Sequence, residues 1–303
     1  MTAEYELSVC VITMNRAEQL KEALESCVAC KLPEKTEFVV LDNASTDDTE
    51  LKVEEFKNAH PDIRFRYFFS EKNLGVGGGR SFVFDKADGE ILYFLDDDAV
   101  ISPDSYETFF VENVRYMKEN PSVASVTTQI YDELKGYSRT ELMSNKIFAG
   151  KRKAFFYLGG SHFLRKSCFD SPLYFDIQYG SEEYAPSIKA IDKGFVHVFD
   201  ESSTIIHKPK VNKWVDNSDT MRKIQIRCAA TVYATKLVLY PAVFKPILLL
   251  GYKTRCKKYL TAYPGAQKES DDMVAEIVKN NREPKVKIKT VIGMFKDFGM
   301  TVF

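Results

Sequence analysis

The sequence lacks an apolar run long enough to cross a membrane, since a bilayer-spanning helix needs about 20 apolar residues. The apolar stretch at residues 237–250 falls short of that length and is interrupted by Lys245 and two prolines. Basic residues flank this stretch on both sides. Two interpretations stay open: an interfacial segment that docks on anionic lipid, or a pair of core helices with a solvated basic face.

The sequence also lacks a disulfide framework and a signal peptide. Its six cysteines are scattered, and the acidic N-terminus has no apolar core of the kind that a signal peptide needs. We therefore expect a cytoplasmic protein with free thiols. Peripheral contact with the inner face of the plasma membrane is compatible with that location. Cys27-x-x-Cys30 has no second pair or histidine partner nearby, which favours a structural role over a metal or redox site.

An excess of charge of one sign is absent too. The net charge of -1 excludes a global attraction to nucleic acid. The 303 residues, 45% of them hydrophobic, suffice for a full core in one large α/β domain with extensions or in two small domains. Because the pattern turns helical and basic beyond residue 217, we divide the chain into an α/β domain, residues 1–216, and a helical region, residues 217–303. That helical region would contact a membrane surface or a second subunit.

What the first hundred residues do contain is an alternation of buried strands and helices. Short apolar runs rich in β-branched or aromatic residues predict strands, and segments with helical periodicity separate them. This rhythm predicts a mostly parallel twisted sheet with helices on both faces. The predicted strands are residues 7–13, 37–41, 64–69 and 90–95, and the predicted helices are residues 16–30, 48–59 and 81–87, with Asn15 as the expected N-cap of the first helix. Further along the chain, residues 123–130 predict another strand, and the polar, weakly periodic residues 132–153 predict a loop region.

A polar cluster follows each of the four strands. Ligands of such sheets bind outside the carboxyl ends of the strands, so the four clusters together indicate one binding site at that edge. The clusters lie at residues 13–15, 42–47, 73–80 and 96–98.

The fourth cluster contains Asp96-x-Asp98, directly after a buried strand. Two carboxylates at this spacing can share a hard divalent cation that keeps phosphate oxygens as further ligands. The alternative is a solvated acidic turn. Three adjacent carboxylates repel each other unless something positive binds, which favours the metal site.

The second and third clusters are typical of nucleotide contacts. Asp42 can accept a hydrogen bond from a nucleobase or a ribose, although Ser45 or Asp47 is also expected to cap the next helix. In the glycine-rich segment, residues 73–80, glycines permit close backbone approach to a ligand and Arg80 can reach a phosphate. The segment is neither a P-loop nor a dinucleotide fingerprint.

Two later features have both a structural and a chemical interpretation. Glu182 and Glu183 at a helix start suit the helix dipole, or one of them acts as a general base over a cleft. His207 follows a strand-like segment and is either a solvent-facing side chain or a metal ligand.

The order of these motifs resembles the family 2 inverting glycosyltransferases of the GT-A fold, especially the rhamnosyl- and galactofuranosyl-transferase-like branch. The matching segments span about residues 7–207. They read VCVITMNR, VVLDNASTDDT, NLGVGGGR, LYFLDDDAV, GGSHFLRK and YGSEEYAPSIKAIDKG, followed by Ile206-His207.

The resemblance implies roles for individual residues. Asp98 would be the direct metal ligand with His207 completing the site, and Asp96 would lie nearer the ribose while counting among the metal ligands. The residues expected at the nucleotide-sugar are Thr13, Asn15, Arg16, Asp42, Asn73, Gly75, Gly79, Arg80, Asp96 and Asp97. Contacts to the donor sugar or acceptor are assigned to Gly160, His162 and Trp214.

The resemblance also implies the chemistry: inverting transfer of a sugar from a UDP- or dTDP-sugar, with Mn²⁺ or Mg²⁺, to a glycan or lipid-linked acceptor. Glu183 stands where the family usually has the aspartate base, and Ala185-Pro186 and Lys189 replace other family residues. The base is therefore left between Glu182 and Glu183. Two rival interpretations are a nucleotidyltransferase and a non-catalytic GT-A module of a glycan-assembly complex.

Overall fold

The structure is a computed structural model that describes residues 3–139, 143–175, 177, 180–209 and 218–303. The described residues form an eleven-stranded mixed sheet with helices on both faces and further helices after residue 217. The predicted α/β architecture is confirmed.

The first half is the parallel part of the sheet. Four strands lie in the order β3-β2-β1-β4, all parallel, and helices connect them. The strands are β1 (Tyr5–Thr13), β2 (Thr36–Asp42), β3 (Arg64–Phe69) and β4 (Gly89–Asp96), and the helices are α1 (Ala17–Val28), α2 (Thr49–Ala59) and α3 (Gly75–Lys86). Alternate residues of β1 pack on opposite faces: Leu7, Val9 and Val11 face α1 and α2, whereas Cys10 and Ile12 face α3.

The second half of the sheet is mixed. Its elements are β5 (Ala99–Ile101), α4 (Phe109–Glu119), β6 (Val123–Asp132), β7 (Tyr137–Arg139), β8 (Met143–Phe148), β9 (Lys151–Ala154), β10 (Ser161–Arg165), α5 (Tyr184–Asp192) and β11 (Val196–His207). Strand β10 lies between β4 and β6 and is antiparallel to both, and β11 continues the sheet parallel to β6.

The prediction of a loop region at residues 132–153 was wrong for most of its length. Strands β7, β8 and β9 lie there, and β8 and β9 pair antiparallel and extend the sheet from β11. Their segments, YSR, MSNKIF and KRKA, lie at the sheet periphery and lack the regular alternation of apolar and polar residues that indicates a half-buried strand. These strands are therefore held by backbone pairing, and an apolar pattern in the sequence does not predict them.

Four helices make up the C-terminal region: α6 (Ser218–Leu239), α7 (Lys245–Tyr259), α8 (Ala266–Asn280) and α9 (Ile288–Phe298). They are not separate from the sheet, because Val232 and Leu239 of α6 share a buried cluster with Phe155 and Tyr184. The boundary predicted at residues 216 and 217 lies outside the described residues.

The apolar stretch at residues 237–250 divides between core and surface. Leu239, Tyr240 and Leu248 are buried, whereas Val243 and Leu250 are exposed. Among the described helices, none is long and apolar enough to cross a membrane. The core-helix interpretation accounts for the buried residues, and contact of the exposed ones with lipid stays a prediction.

Candidate active site

The polar ends of β1, β2 and β4 lie side by side at one edge of the sheet. In the strand register Thr13 pairs with Asp42, and the neighbouring Ile12 pairs with Asp96. Asn43 follows Asp42 and donates its backbone N–H to the Thr13 carbonyl at 2.8 Å. The sheet thus brings these predicted clusters together.

Asp42 is buried at the base of this edge. Its Oδ1 accepts the Ser45 backbone N–H at 2.7 Å, and its Oδ2 accepts the Tyr67 hydroxyl at 2.8 Å. Burial raises the pKa of Tyr67, and the hydrogen bond to Asp42 adds to that rise. The carboxylate is held rigidly, and each oxygen keeps one further acceptor position for a nucleoside donor group.

Asn15 does not cap α1, as the sequence had suggested. Its backbone has φ 54°, and its Oδ1 accepts the Thr46 backbone N–H at 2.7 Å. Asp47 serves two helix starts instead, because its carboxylate accepts the N–H groups of Ala17 and Thr49, each at 3.2 Å. The loops after β1 and β2 are therefore tied together at the mouth of the site.

The glycine-rich segment is not a loop before a helix, because α3 already begins at Gly75. Asn73 Oδ1 accepts the Gly75 N–H at 2.7 Å, which fixes the start of this helix. A Cβ at Gly79 would lie 3.1 Å from the Ile12 side chain, so Gly79 allows α3 to pack closely on β1. Gly79 is buried against the sheet, and its predicted contact with the nucleotide-sugar stays a prediction.

Arg80 is buried and joins three carboxylates. Its Nη2 donates to Asp96 Oδ1 at 2.8 Å and to the Gly159 carbonyl at 2.8 Å. Its Nη1 lies 3.3 Å from Glu182 Oε1 and 3.2 Å from Glu183 Oε1. One guanidinium thus links the D-x-D motif to the Glu-Glu pair. Four protein acceptors bind the guanidinium in this structure. The predicted contact of Arg80 with a phosphate stays a prediction.

Glu183 is the carboxylate most affected by this arrangement. Burial raises the pKa of Glu183 to about 8, the negative charge of Glu182 adds to the rise, and Arg80 opposes it. Glu182 is fixed differently, since its Oε2 accepts the Gly180 N–H at 2.8 Å. A buried carboxyl with a pKa near neutrality is suited to proton transfer.

Gly159 belongs to the GGSHFLRK segment but was given no role of its own from the sequence. A Cβ at this position would lie 2.4 Å from Glu183 Oε1 and 2.8 Å from Arg80 Nη1, which neither group can accommodate in place. The predicted Gly160 also lies at the site, because its carbonyl accepts the Asp96 N–H at 3.1 Å. Only the double glycine marked this close approach in the sequence.

Asp97 and Asp98 turn away from Arg80 toward Arg16. Arg16 Nη1 lies 2.7 Å from Asp97 Oδ1 and 2.8 Å from Asp98 Oδ2. Burial raises the pKa of Asp97 to about 6 although Arg16 opposes the rise. Burial also acts to raise the pKa of Asp98, but the hydrogen bond from His207 and the charge of Arg16 outweigh it and leave that pKa lowered.

His207 reaches Asp98 because of strand pairing at the end of β11. In the strand register, His207 pairs with Ala99 of β5 on one side and with Asp132 of β6 on the other. His207 Nε2 lies 3.3 Å from Asp98 Oδ1. Burial alone would lower the pKa of His207, but the hydrogen bond to Asp98 and its negative charge raise it.

Two further residues at His207 were missed in the sequence. Asp132 Oδ2 lies 3.4 Å from His207 Nδ1, and Arg139 lies 3.2 Å from both of these atoms. Both residues follow the predicted strand at residues 123–130 and fall within what the sequence indicated as a loop. No local sequence motif indicates that these two residues contact a histidine about 70 residues later in the chain.

The donor set at Asp98 and His207 suits a divalent cation, since carboxylate oxygen and imidazole nitrogen are common ligands. The third predicted ligand, Asp96, has one oxygen bound to Arg80 instead. Within the described part of the chain, no three His, Cys, Asp or Glu side chains converge on one point where a metal ion would fit. The residues present therefore offer two protein ligands and leave the remaining positions to substrate oxygens.

His162 is a core residue rather than a wall of the site. It is fully buried, stacks on Phe94 with ring centroids 5.3 Å apart, and places Nδ1 2.8 Å from the Leu158 carbonyl. Burial and the nearby charge of Arg80 hold the pKa of His162 well below its usual value. The predicted contact with sugar or acceptor stays a prediction, and in this arrangement β10 lies between β4 and β6 and buries the side chain. Trp214 lies outside the described residues.

Comparisons with known proteins bear on the family and the fold. The family model described as glycosyl transferase family 2 matches residues 8–172, more than half of the chain. A GalNAc(5)-diNAcBac-PP-undecaprenol beta-1,3-glucosyltransferase of Campylobacter jejuni is 27% identical over 210 residues, which cover 67% of this chain and 62% of that protein. An uncharacterised protein of Haemophilus influenzae is 29% identical over 169 residues, covering 53% of this chain and 87% of that protein.

Solved structures share the fold. The mannosyltransferase PcManGT of Pyrobaculum calidifontis, in complex with GDP-Man and Mn²⁺, has a TM-score of 0.59 at 18% identity and covers 96% of this chain and 79% of its own. TarS of S. aureus, in complex with UDP-GlcNAc, has a TM-score of 0.63 at 16% identity and covers 98% of this chain and 89% of its own. The predicted GT-A fold is confirmed by these likenesses, and at such identities they concern the fold alone.

Proposed function

The chain belongs to glycosyl transferase family 2, and on this basis we propose that it transfers a sugar from a nucleoside-diphosphate sugar to an acceptor hydroxyl with inversion. The observation that carries the proposal is the Arg80 bridge, which holds Asp96 and the Glu182–Glu183 pair around one guanidinium. A donor bound at the D-x-D would therefore lie next to a buried carboxyl that can exchange a proton.

Glu183 is the proposed general base. It takes the proton of the acceptor hydroxyl, the hydroxyl oxygen bonds to the anomeric carbon, and the bond from that carbon to the diphosphate oxygen breaks. Attack opposite the leaving group inverts the configuration, by the facial argument that separates inverting from retaining hydrolases. The pKa of Glu183, raised by burial to about 8, keeps its carboxylate basic enough for this role.

Asp98 and His207 are the proposed ligands of Mn²⁺ or Mg²⁺, and Asp96 lies toward the ribose or the metal. When bound, the cation would stabilise negative charge on the departing diphosphate, so no acid is needed. Support comes from the 3.3 Å approach of His207 to Asp98 and from the neighbour that carries Mn²⁺ with its nucleotide-sugar.

Asp42, Asn15 and Thr13 are the proposed nucleoside contacts. A UDP- or dTDP-sugar is the proposed donor, and the solved neighbours hold UDP-GlcNAc and GDP-Man. The proposed acceptor is a cell-surface glycan or a lipid-linked saccharide, as in the Campylobacter relative named for an undecaprenol-linked substrate. The rhamnosyl- or galactofuranosyl-transferase branch belongs to this proposal too, and so does peripheral association with a membrane.

The test is release of nucleoside diphosphate from a panel of nucleotide-sugars, with Mn²⁺, with Mg²⁺ and with chelator. We expect turnover or hydrolysis of at least one donor that the chelator abolishes. A nucleotidyltransferase would instead release pyrophosphate from a nucleoside triphosphate and a sugar phosphate. A non-catalytic module would show metal-dependent nucleotide binding by thermal shift without product, and neither binding nor product with any donor would overturn the proposal.

A further inference from the structure

Helix α9 has apolar side chains on two faces. Val291 and Met294 point into the core. On the outer face, Ile288, Ile292 and Phe295 are 52%, 44% and 42% exposed, and their spacing of four and three residues aligns them along the helix. A surface helix of a globular protein ordinarily carries polar residues on its outer face.

The outer face of α9 continues onto the start of α7. The Phe303 ring lies between the two helices, with its centroid 5.6 Å from that of Phe295 and 5.8 Å from that of Phe244. Phe303 backbone atoms lie only 2.9 Å from where a Cβ at Gly251 would stand. We call the exposed set around this contact the C-terminal apolar surface: Val243, Leu250, Ile288, Ile292, Phe295 and Met300.

The charge around the C-terminal apolar surface is almost all positive. Residues 241–259 and 287–303 contain eight lysines and arginines and a single acidic residue, whereas the whole chain is nearly neutral. That acid, Asp297, is already paired with Lys146 and Lys153. Lys289 and Lys296 flank Ile292 at three and four residues on the same helix, and both are exposed.

We propose that the C-terminal apolar surface docks in the plane of an anionic phospholipid bilayer. Apolar side chains at the acyl boundary with lysines toward the headgroups are what such an interface takes. A second copy of the chain fits less well, because a symmetric contact would bring two lysine-rich faces together. This inference rests on the proposed peripheral association with a membrane and names the surface and the lipid for it, and it does not depend on sugar transfer.

The experiment is flotation of the full chain with vesicles of phosphatidylcholine alone and with vesicles that also contain phosphatidylglycerol. We expect binding to the anionic vesicles only. Replacing both lysines, Lys289→Gln with Lys296→Gln, is expected to weaken partitioning about 30-fold, since each lysine near an anionic surface contributes about fivefold. Ile292→Glu is expected to abolish binding.

Matched controls separate surface chemistry from general damage. Leu51→Glu changes an apolar residue of α2 that is 52% exposed, and Lys57→Gln removes an exposed lysine of the same helix. Both should bind vesicles like the unchanged protein. Equal binding of Ile292→Glu and Leu51→Glu, or no preference for anionic vesicles, overturns the inference. So does a dimer in sedimentation that Ile292→Glu dissociates, because a second copy would then cover this surface.

Release of nucleoside diphosphate without vesicles distinguishes this inference from the proposed function. Ile292 lies outside the proposed active site, so Ile292→Glu should release product at the same rate as the unchanged protein. A chain that binds vesicles but releases no product contradicts the transferase proposal alone. A chain that releases product but ignores vesicles contradicts the docking surface alone.

Discussion

Two clusters of carboxylates lie side by side at the same sheet edge and are held by different arginines. The Arg80 cluster comprises Arg80 with Asp96, Glu182 and Glu183. The Arg16 cluster comprises Arg16 with Asp97 and Asp98, and His207 joins it through Asp98. The chain passes from one cluster to the other between Asp96 and Asp97, so a single acidic motif serves both.

The two clusters shift the pKa of a key carboxyl in opposite directions. In the Arg80 cluster one guanidinium faces three carboxylates, and burial raises the pKa of Glu183 to about 8. In the Arg16 cluster the hydrogen bond from His207 and the charge of Arg16 outweigh burial and lower the pKa of Asp98. The first environment holds a proton near neutral pH, whereas the second keeps a carboxylate ionised. Under the proposed roles, these two neighbouring clusters would separate proton transfer from cation binding.

The largest expected effect follows from changing the proton-holding carboxyl. Glu183→Gln removes the proposed base with little change in volume, and we expect the transfer rate to fall by about 10²–10⁴-fold. Nucleotide affinity should change little, because Asp42 and Asp98 are untouched. Steady-state kinetics together with nucleotide titration measure both quantities.

Glu182→Gln is the matched control for this change. It should keep most of the activity, since Glu182 is fixed by the Gly180 N–H. If Glu182→Gln abolishes transfer while Glu183→Gln retains it, the two roles are exchanged.

The second largest effect is expected from removing the guanidinium of Arg80, the positive charge that holds the Arg80 cluster together. Arg80→Met leaves buried carboxyls without their partner, which costs about 3–5 kcal/mol of unfolding free energy. Because Arg80 opposes the rise in the pKa of Glu183, its loss moves that pKa in the folded state further above the unfolded value, and Glu183 then takes up a proton more readily. The loss should therefore be smaller at pH 5 than at pH 8, as urea unfolding at the two pH values would show. Equal losses at both values, or full stability, would contradict the charge argument, and Arg80→Lys should recover part of the stability.

A smaller effect is expected in the Arg16 cluster from Asp132, which contacts that cluster through His207. Asp132→Asn takes a carboxylate from His207 Nδ1, and loss of such an orienting group typically costs 10–100-fold in metal affinity, about what we expect here. The Mn²⁺ concentration for half-maximal activity should rise, and saturating Mn²⁺ should restore the rate. Asp200→Asn is the control, because Asp200 of β11 is a buried aspartate like Asp132 but pairs with Lys151 and not with His207. A similar metal requirement in both variants would point to general damage.

The contrast between the clusters also shows what sequence can predict. The strands and the polar residues at their ends were predictable, because apolar runs and their terminations are local features. The partners across the clusters were not, since Arg80 meets Glu182 and Glu183 about 100 residues later in the chain. His162 shows the same limit: its segment reads as a loop next to ligands, and only the insertion of β10 between two strands buries it.

Helix α9 adds a second kind of limit. Its pattern is apolar at two sets of positions, and sequence periodicity alone does not say which set faces the core. The expectation of a membrane contact therefore named residues 237–250, of which several lie in the core, and the helical region 217–303 as a whole, without singling out α9. In the structure, Val291 and Met294 pack in the buried cluster that contains Phe155 and Tyr184, so this set of positions in α9 faces the core.

The smallest effect tests the coupling within the Arg80 cluster. Because only ionised Glu183 accepts a proton, kcat/KM should rise with pH through the pKa of Glu183, which lies at about 8 in the free protein. The negative charge of Glu182 contributes to that elevation, so Glu182→Gln should move the rise to lower pH while the plateau rate stays similar. A pH profile of both proteins with one donor at saturating metal measures the shift. A midpoint that does not move would mean that burial alone sets the pKa of Glu183, and the Arg80 cluster would then differ from the Arg16 cluster in desolvation rather than in charge.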